Sequence, residues 1–357
     1  MSADREPARS TAPLAAGAPG TSAGAAATSP SVSSPASSSP SLPREQRLEP
    51  SGRVARLEHD ELTDSGVMLS IDGAEQSHVE VSDPSFLLHD YTFRIASACT
   101  TLGPLTPLTS LHTRTSLHTL SVLHLGAGAL TLPRWIEAER PHTAQTVVDY
   151  EGGLVDFVLD ALPMTCAPRN LVADAAAVLE DGGELAGERF DVVVVDLFNG
   201  SDAPEPVISA DFFATLLTSL EEPGRAASPH TLEDDGESAD LDRSLLLLNL
   251  GDVPGMAFAR SLVHRVVTVL AEAYPSLSAW DHALLSAPAD VVEAEAEGNL
   301  VLTLRPFRAI ESRETQALWA AGPHPGEVLT GDELRTWAEG PAVADWPAAA
   351  DGPAEAG

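Results

Sequence analysis

Two uninterrupted apolar runs, Val192-Val-Val-Val195 and Leu245-Leu-Leu-Leu248, constrain this chain more than any other feature. A strand that is apolar at every position must be covered on both faces, as happens when a parallel sheet lies between two layers of helices. Both runs belong to a longer alternation of strand-like and helix-like segments: Ser121–Leu125, Leu132–Glu139, Thr146–Asp149, Leu154–Leu162, Asp191–Asp196, Ala210–Leu220, Leu245–Leu250 and Ala257–Ala273. Such alternation predicts an α/β fold with a Rossmann-like, doubly wound sheet. Leu277–Trp280 and Asn299–Leu304 are expected to close the sheet as an antiparallel edge.

Around this block the texture changes. Residues 1–50 are rich in Ser, Ala and Pro, have nothing to bury, and are expected to form a disordered tail. Residues 51–95 carry short β-like runs and an Asp72-Gly73 hairpin signal, which predict a small antiparallel β subdomain, with a helix opening at Pro84. Residues 96–120 read as a linker. Residues 121–310 are expected to form the Rossmann-like domain, interrupted by an exposed acidic loop at 225–243, and residues 311–357 to supply a C-terminal helix and a flexible tail.

Composition removes several classes of function. The 53 acidic and 20 basic side chains give a formal charge of -33, all of it outside residues 1–50, where acids and arginines balance. A surface this acidic repels phosphate backbones, so no nucleic-acid partner is expected. There is no apolar run long enough to span a bilayer and no signal-peptide pattern, so a cytoplasmic protein without a membrane partner is expected. Every basic residue is Arg. A Schiff-base mechanism or a Walker A phosphate site needs a lysine and is therefore excluded. Cys99 and Cys166 lack metal-ligand spacing and read as buried free thiols. His112, His118 and His124 have no acid or Cys in register, and the acids of the 225–243 loop lack the calcium-loop pattern, so no metal is expected.

The chemistry-bearing residues sit at strand ends. Gly126 and Gly128 follow the first strand and precede a helix, where glycine lets the backbone approach a bound cofactor. Twenty-three residues beyond Gly126, Asp149 ends the second strand with a carboxylate able to accept ribose hydroxyls. This pair specifies a nucleoside without separating NAD from S-adenosylmethionine. Asp174 follows the third strand, and Asp196 ends the fourth, at the carboxyl edge where open α/β sheets place their ligands. Asp196 is a general-base candidate, or else the cap of the segment that follows it.

Taken together, Gln76-Ser-His-Val, Tyr91, the Gly126–Gly128 turn, Thr146-Val-Val-Asp149, Asp174, Asp191-Val-Val-Val-Val-Asp196 and Glu222-Pro-Gly224 resemble the spermidine synthase family, over about Arg53 to Phe307. His124-Leu-Gly-Ala-Gly-Ala-Leu-Thr-Leu-Pro-Arg134 is similar to spermidine synthase-like proteins of high-GC bacteria. The resemblance implies a β-stranded N-terminal domain before a sheet of the methyltransferase type. It also implies transfer of an aminopropyl group from decarboxylated S-adenosylmethionine to an amine such as putrescine, and a homodimer. Asp149 would then hold the ribose and Asp174 the adenine. Gln76 and Tyr91 would flank the site, Asp196 would accept the amine proton, and Asn199 would stand in the acceptor loop. Two positions depart from the family: Ala129 replaces an Asp that contacts the donor's amine, and Asn199 replaces a second acid. Both losses fall on amine recognition, which leaves a methyltransferase using S-adenosylmethionine, or a non-catalytic homologue, as the alternatives.

Overall fold

The computed structural model describes residues 42–105, 119–198, 203–222 and 243–340, all within one compact unit, Pro40–Gly357. It opens with four short strands, β1 (Arg44–Arg47), β2 (Val54–His59), β3 (Gly66–Ile71) and β4 (Ala74–Glu80), paired antiparallel in that order. Alternation in β2 buries Ala55 and Leu57 while leaving Arg56 and Glu58 partly exposed, which gives the small sheet one apolar face.

Strand β1 lies inside the expected tail and corrects its boundary. Leu48 is fully buried, and Gln46 Nε2 donates to the Gly153 carbonyl at 3.1 Å, so this stretch has partners that its local composition does not reveal. The helix expected at Pro84 begins later, as α1 (Asp90–Thr101), because Asp83 first closes a local turn by accepting from the Ser85 and Phe86 amides. Helix α1 continues into the expected linker, burying Ile95, Ala96, Ala98 and Cys99, with Leu102 and Leu105 beyond it.

The main sheet is built from β5 (Ser121–Leu125), α2 (Thr131–Glu139), β6 (Ala144–Asp149), α3 (Leu154–Ala161), β7 (Arg169–Val172), β8 (Val192–Phe198), α4 (Glu205–Ile208), α5 (Ala210–Thr218), β9 (Leu245–Asp252) and α6 (Ala257–Ala273). It is completed by β10 (Ala283–Pro288), α7 (Ala289–Val292), β11 (Gly298–Leu304), α8 (Ser312–Ala321), β12 (Gly326–Thr330) and α9 (Gly331–Ala338). The eight strands run β12-β10-β11-β9-β8-β5-β6-β7. Pairs β5–β6, β6–β7, β5–β8 and β8–β9 are parallel, and β9–β11, β11–β10 and β10–β12 are antiparallel. The fold is the doubly wound α/β class with a small antiparallel sheet ahead of it.

The apolar runs behave as their pattern demands. Val193, Val195, Leu246 and Leu248 pack with α5 and α6 on one face, while Val192, Val194, Leu245 and Leu247 pack with α1 and α2 on the other. Each such side chain, fully buried, contributes about 1.5–3 kcal/mol relative to exposure. The small sheet packs its own apolar face, Ala55, Leu57, Val67, Leu69 and Val79, onto Ala127, Ala129 and Leu130 of the glycine turn and onto α3.

Three further expectations are corrected. Leu277–Trp280 is not a strand; the strand that pairs with β11 is β10, which begins after a short 3-10 turn at Ala279–His282. The segment after 310 is more than a helix and tail, because β12 pairs with β10 and extends the sheet. Cys99 is buried but Cys166 is exposed. The acidic loop lies outside the described residues apart from Arg243. Among the described residues no helix is long and apolar enough to cross a membrane.

Candidate active site

Strand order reverses between β5 and β8, and the two ends of that switch point carry the candidate residues. After Leu125 the chain turns through Gly126 at φ +101° and Gly128 at φ +48° before entering α2. A Cβ at Gly126 would strike the Asp196 carbonyl oxygen and stand 3.1 Å from its carbon; one at Gly128 would strike Ser77 Oγ. The turn is therefore held between the end of β8 and strand β4. Thr131 Oγ1 fastens the start of α2 by donating to the His78 carbonyl at 2.8 Å.

Asp149 lies against this turn. Its two carboxylate oxygens accept the Ala127 and Glu151 amides, each at 2.8 Å, so the acid is locked against the glycine turn with lone pairs to spare. Burial raises its pKa, the Glu151 charge adds to the rise, and the two amide bonds oppose it. Asp174 is exposed two residues past β7, where Oδ1 accepts the Ala176 and Ala177 amides at 2.8 and 3.2 Å and caps the next turn. Gln76 stays local, with Nε2 donating to the Ala74 and Glu75 carbonyls of its own strand.

Asp196 lies at the carboxyl end of the sheet, partly open to solvent. Asn249 Nδ2 donates to Oδ1 at 2.8 Å and the Tyr91 hydroxyl to Oδ2 at 3.3 Å. Burial raises the pKa of Asp196 and these two neutral donors restrain the rise. Burial, with the Asp196 charge beside it, holds the Tyr91 hydroxyl well above the usual phenol range, so it remains a donor. The His89 ring stacks on Tyr91 with centroids 6.0 Å apart and planes 20° apart. Burial, with His78 adding, lowers the His89 pKa and favours the neutral ring.

The structure thus brings Gly126, Gly128, Asp149, Tyr91 and Asp196 to one edge, and leaves Gln76 and Asp174 bonded to their own backbone neighbourhoods. Asn199 lies outside the described residues, as do His112 and His118. His124 is a core residue, paired with Gln145 at 3.1 Å and pushed down to about 4 by burial. Ala129 is fully buried in the apolar cluster under the small sheet.

Sequence reasoning missed two members of the site. Asn249 follows directly on the Leu245–Leu248 run, a signal that was there to be used, since a polar side chain in a central strand needs a partner. His89 had no pattern to announce it, because its place depends on where α1 starts. Both carry a buried atom without a hydrogen-bond partner, Asn249 Oδ1 and His89 Nε2. A cavity of about 380 Å³ beside Glu180, Glu188 and Ser219 lies at the opposite, amino-terminal end of β8. Ligands of open α/β sheets bind at the carboxyl ends, so it is not the candidate site. Among the described residues no three His, Cys, Asp or Glu side chains are placed to hold a metal ion.

No protein-family model matches the sequence, and no curated protein matches it. Solved structures do. A probable spermidine synthase from Corynebacterium glutamicum is similar at 21% identity and a TM-score of 0.64, covering 84% of this chain and 95% of that one. A spermidine synthase from Thermotoga maritima follows at 10% identity and 0.44, covering 76% of this chain and 77% of that one. Human methyltransferase-like protein 13, in complex with SAH, stands at 16% and 0.43, covering 66% and 95%. The first superposition establishes the shared fold; the other two scores are too low to add to it.

Proposed function

We propose that this chain transfers an aminopropyl group from decarboxylated S-adenosylmethionine to a primary amine of the putrescine class. The observation that carries the reading is the set of acceptors around Asp196. Among the described residues its carboxylate is held by two neutral donors, Asn249 and Tyr91, and the buried Asn249 Oδ1 has no donor. Buried acceptors without donors are costly, and a protonated amine supplies both the N–H groups and the positive charge that such a site lacks. The fold in common with a probable spermidine synthase supports the same choice.

In this reading the glycine turn admits the donor's sulfonium end, Asp149 accepts the ribose hydroxyls and Asp174 the adenine amino group. Gln76 borders the donor, and Tyr91 and Asn199 border the acceptor. Asp196 takes a proton from the ammonium and so frees its lone pair. The amine nitrogen bonds to the methylene carbon attached to sulfur, the carbon–sulfur bond breaks, and methylthioadenosine leaves with the electron pair. A carboxylate whose pKa burial has raised is a better base for this step than an exposed one. Orientation of nitrogen against carbon supplies most of the remaining acceleration.

A second reading, methyl transfer from S-adenosylmethionine, is favoured by Ala129, whose burial among apolar side chains leaves no charge there for the donor's amine. Parallel calorimetric titration with decarboxylated S-adenosylmethionine, S-adenosylmethionine, methylthioadenosine and NAD separates them. The proposal expects the decarboxylated donor to bind tightest. Preference for S-adenosylmethionine would move the function to methyl transfer, and preference for NAD would end both.

A further inference from the structure

Arg94 lies one helical turn beyond Asp90 on α1 and is buried, as are Arg134 and Arg305. Its guanidinium grips both carboxylate oxygens of Asp90, with Nη2 to Oδ2 at 3.1 Å. It also reaches away from the helix: Nη1 donates to Ser286 Oγ on β10 at 2.8 Å, and Nη2 to the Pro323 carbonyl at 3.2 Å. The start of β12 is shaped around it. A Cβ on Gly326 would lie 2.7 Å from Nη2 and 3.2 Å from Nη1.

Asp90 sits between His89, which stacks on Tyr91, and Tyr91, which donates to Asp196. The planar fork of arginine can serve the carboxylate, the hydroxyl and the carbonyl together, and a lysine cannot. We propose that Arg94 is a positioning residue that holds Tyr91 against Asp196 by fastening the first turn of α1 to β10 and to the Pro323 carbonyl ahead of β12. The inference rests on Asp196 being the general base of the proposed transfer. It makes Pro323 and Gly326 part of the active-site framework.

Among the described residues few groups face Asp196. Helix α1 presents Tyr91 with His89 stacked behind it, β9 presents the uncharged Asn249, and the glycine turn meets it at Gly126. Loss of the Tyr91 bond removes a donor to the charged form and raises the pH at which the carboxyl loses its proton.

The test follows the Asp196 carboxyl by infrared difference spectroscopy against Asp196→Asn, so it needs no turnover. Arg94→Lys and Gly326→Ala disturb the clamp from opposite sides. Both are expected to move the titration upward, in the direction of Tyr91→Phe, and Arg94→Lys combined with Tyr91→Phe is expected to move it no further than Tyr91→Phe alone. A folded Arg94→Lys or Gly326→Ala protein that titrates as the unaltered chain does, with only a lower melting temperature, would make Arg94 a structural residue and overturn the proposal. An additive double variant would overturn it too. Failure of the unaltered protein to make an aminopropyl product would instead strike the proposed function and leave this titration to decide the clamp.

Discussion

Replacing Gly126 by alanine tests whether the glycine turn is shaped by the end of β8. Two costs add. At φ +101° an L side chain is strained by about 1–2 kcal/mol. The new Cβ also meets the Asp196 carbonyl, which is backbone inside a parallel sheet and cannot swing aside. Overpacking of this kind costs about 1–3 kcal/mol. The sum, about 2–5 kcal/mol, corresponds to a fall in melting temperature on the order of 10 °C for a domain of this size. Gly255 provides the control, since its φ is +98° and an added Cβ would meet nothing within 4 Å. Gly255→Ala should show the backbone strain alone, about 1–2 kcal/mol. Differential scanning calorimetry of both variants, with nucleoside titration of each, should show the larger fall and lost donor binding only for Gly126→Ala. Equal falls, or unchanged donor affinity in Gly126→Ala, would refute the squeezed-turn argument.

Other consequences are equally measurable. Asp196→Asn should cut product formation about 10²–10⁴-fold with donor affinity nearly unchanged, as removal of a general base does. The same change bears on stability: because burial raises the folded-state pKa of Asp196, the wild type holds its advantage in acid and loses it as pH rises through that value. Asp196→Asn should therefore gain melting temperature relative to wild type on going from acid to neutral pH, and a constant difference would contradict the pKa direction. Asp149→Ala should weaken nucleoside binding by about 1–3 kcal/mol, read by calorimetry, by removing the acceptor of the ribose hydroxyls. A chain beginning at Gly52 should melt several degrees lower than the full chain, since it lacks β1 and the fully buried Leu48, a side chain whose burial contributes about 1.5–3 kcal/mol.

Much of the central sheet was legible because its strands are apolar at every position, and Val192–Val195 and Leu245–Leu248 do divide their side chains between two helical layers. The glycine turn and the acids near the ends of β6 and β8 were legible for a different reason: strand ends in parallel sheets point at a common edge, so spacing alone brings Gly126, Asp149 and Asp196 together. What was not legible depended on partners distant in sequence. Strand β1 is marked by Arg, Glu and Gln, and only its pairing with β2 and the contact of Gln46 with Gly153 give it a place. Strand β12 is short, half-buried and preceded by Pro323 and Pro325, so nothing local distinguishes it from a tail until β10 is beside it. His89 and Arg94 depend on where α1 begins, a boundary set by the Asp83 turn rather than by periodicity.

The most direct measurement is to incubate the purified protein with decarboxylated S-adenosylmethionine and putrescine and to follow both products by mass spectrometry. Aminopropyl transfer predicts methylthioadenosine and an aminopropylated diamine in equal amounts, both lost in Asp196→Asn. Neither product with these substrates, together with S-adenosylhomocysteine when S-adenosylmethionine and an acceptor are supplied instead, would contradict it.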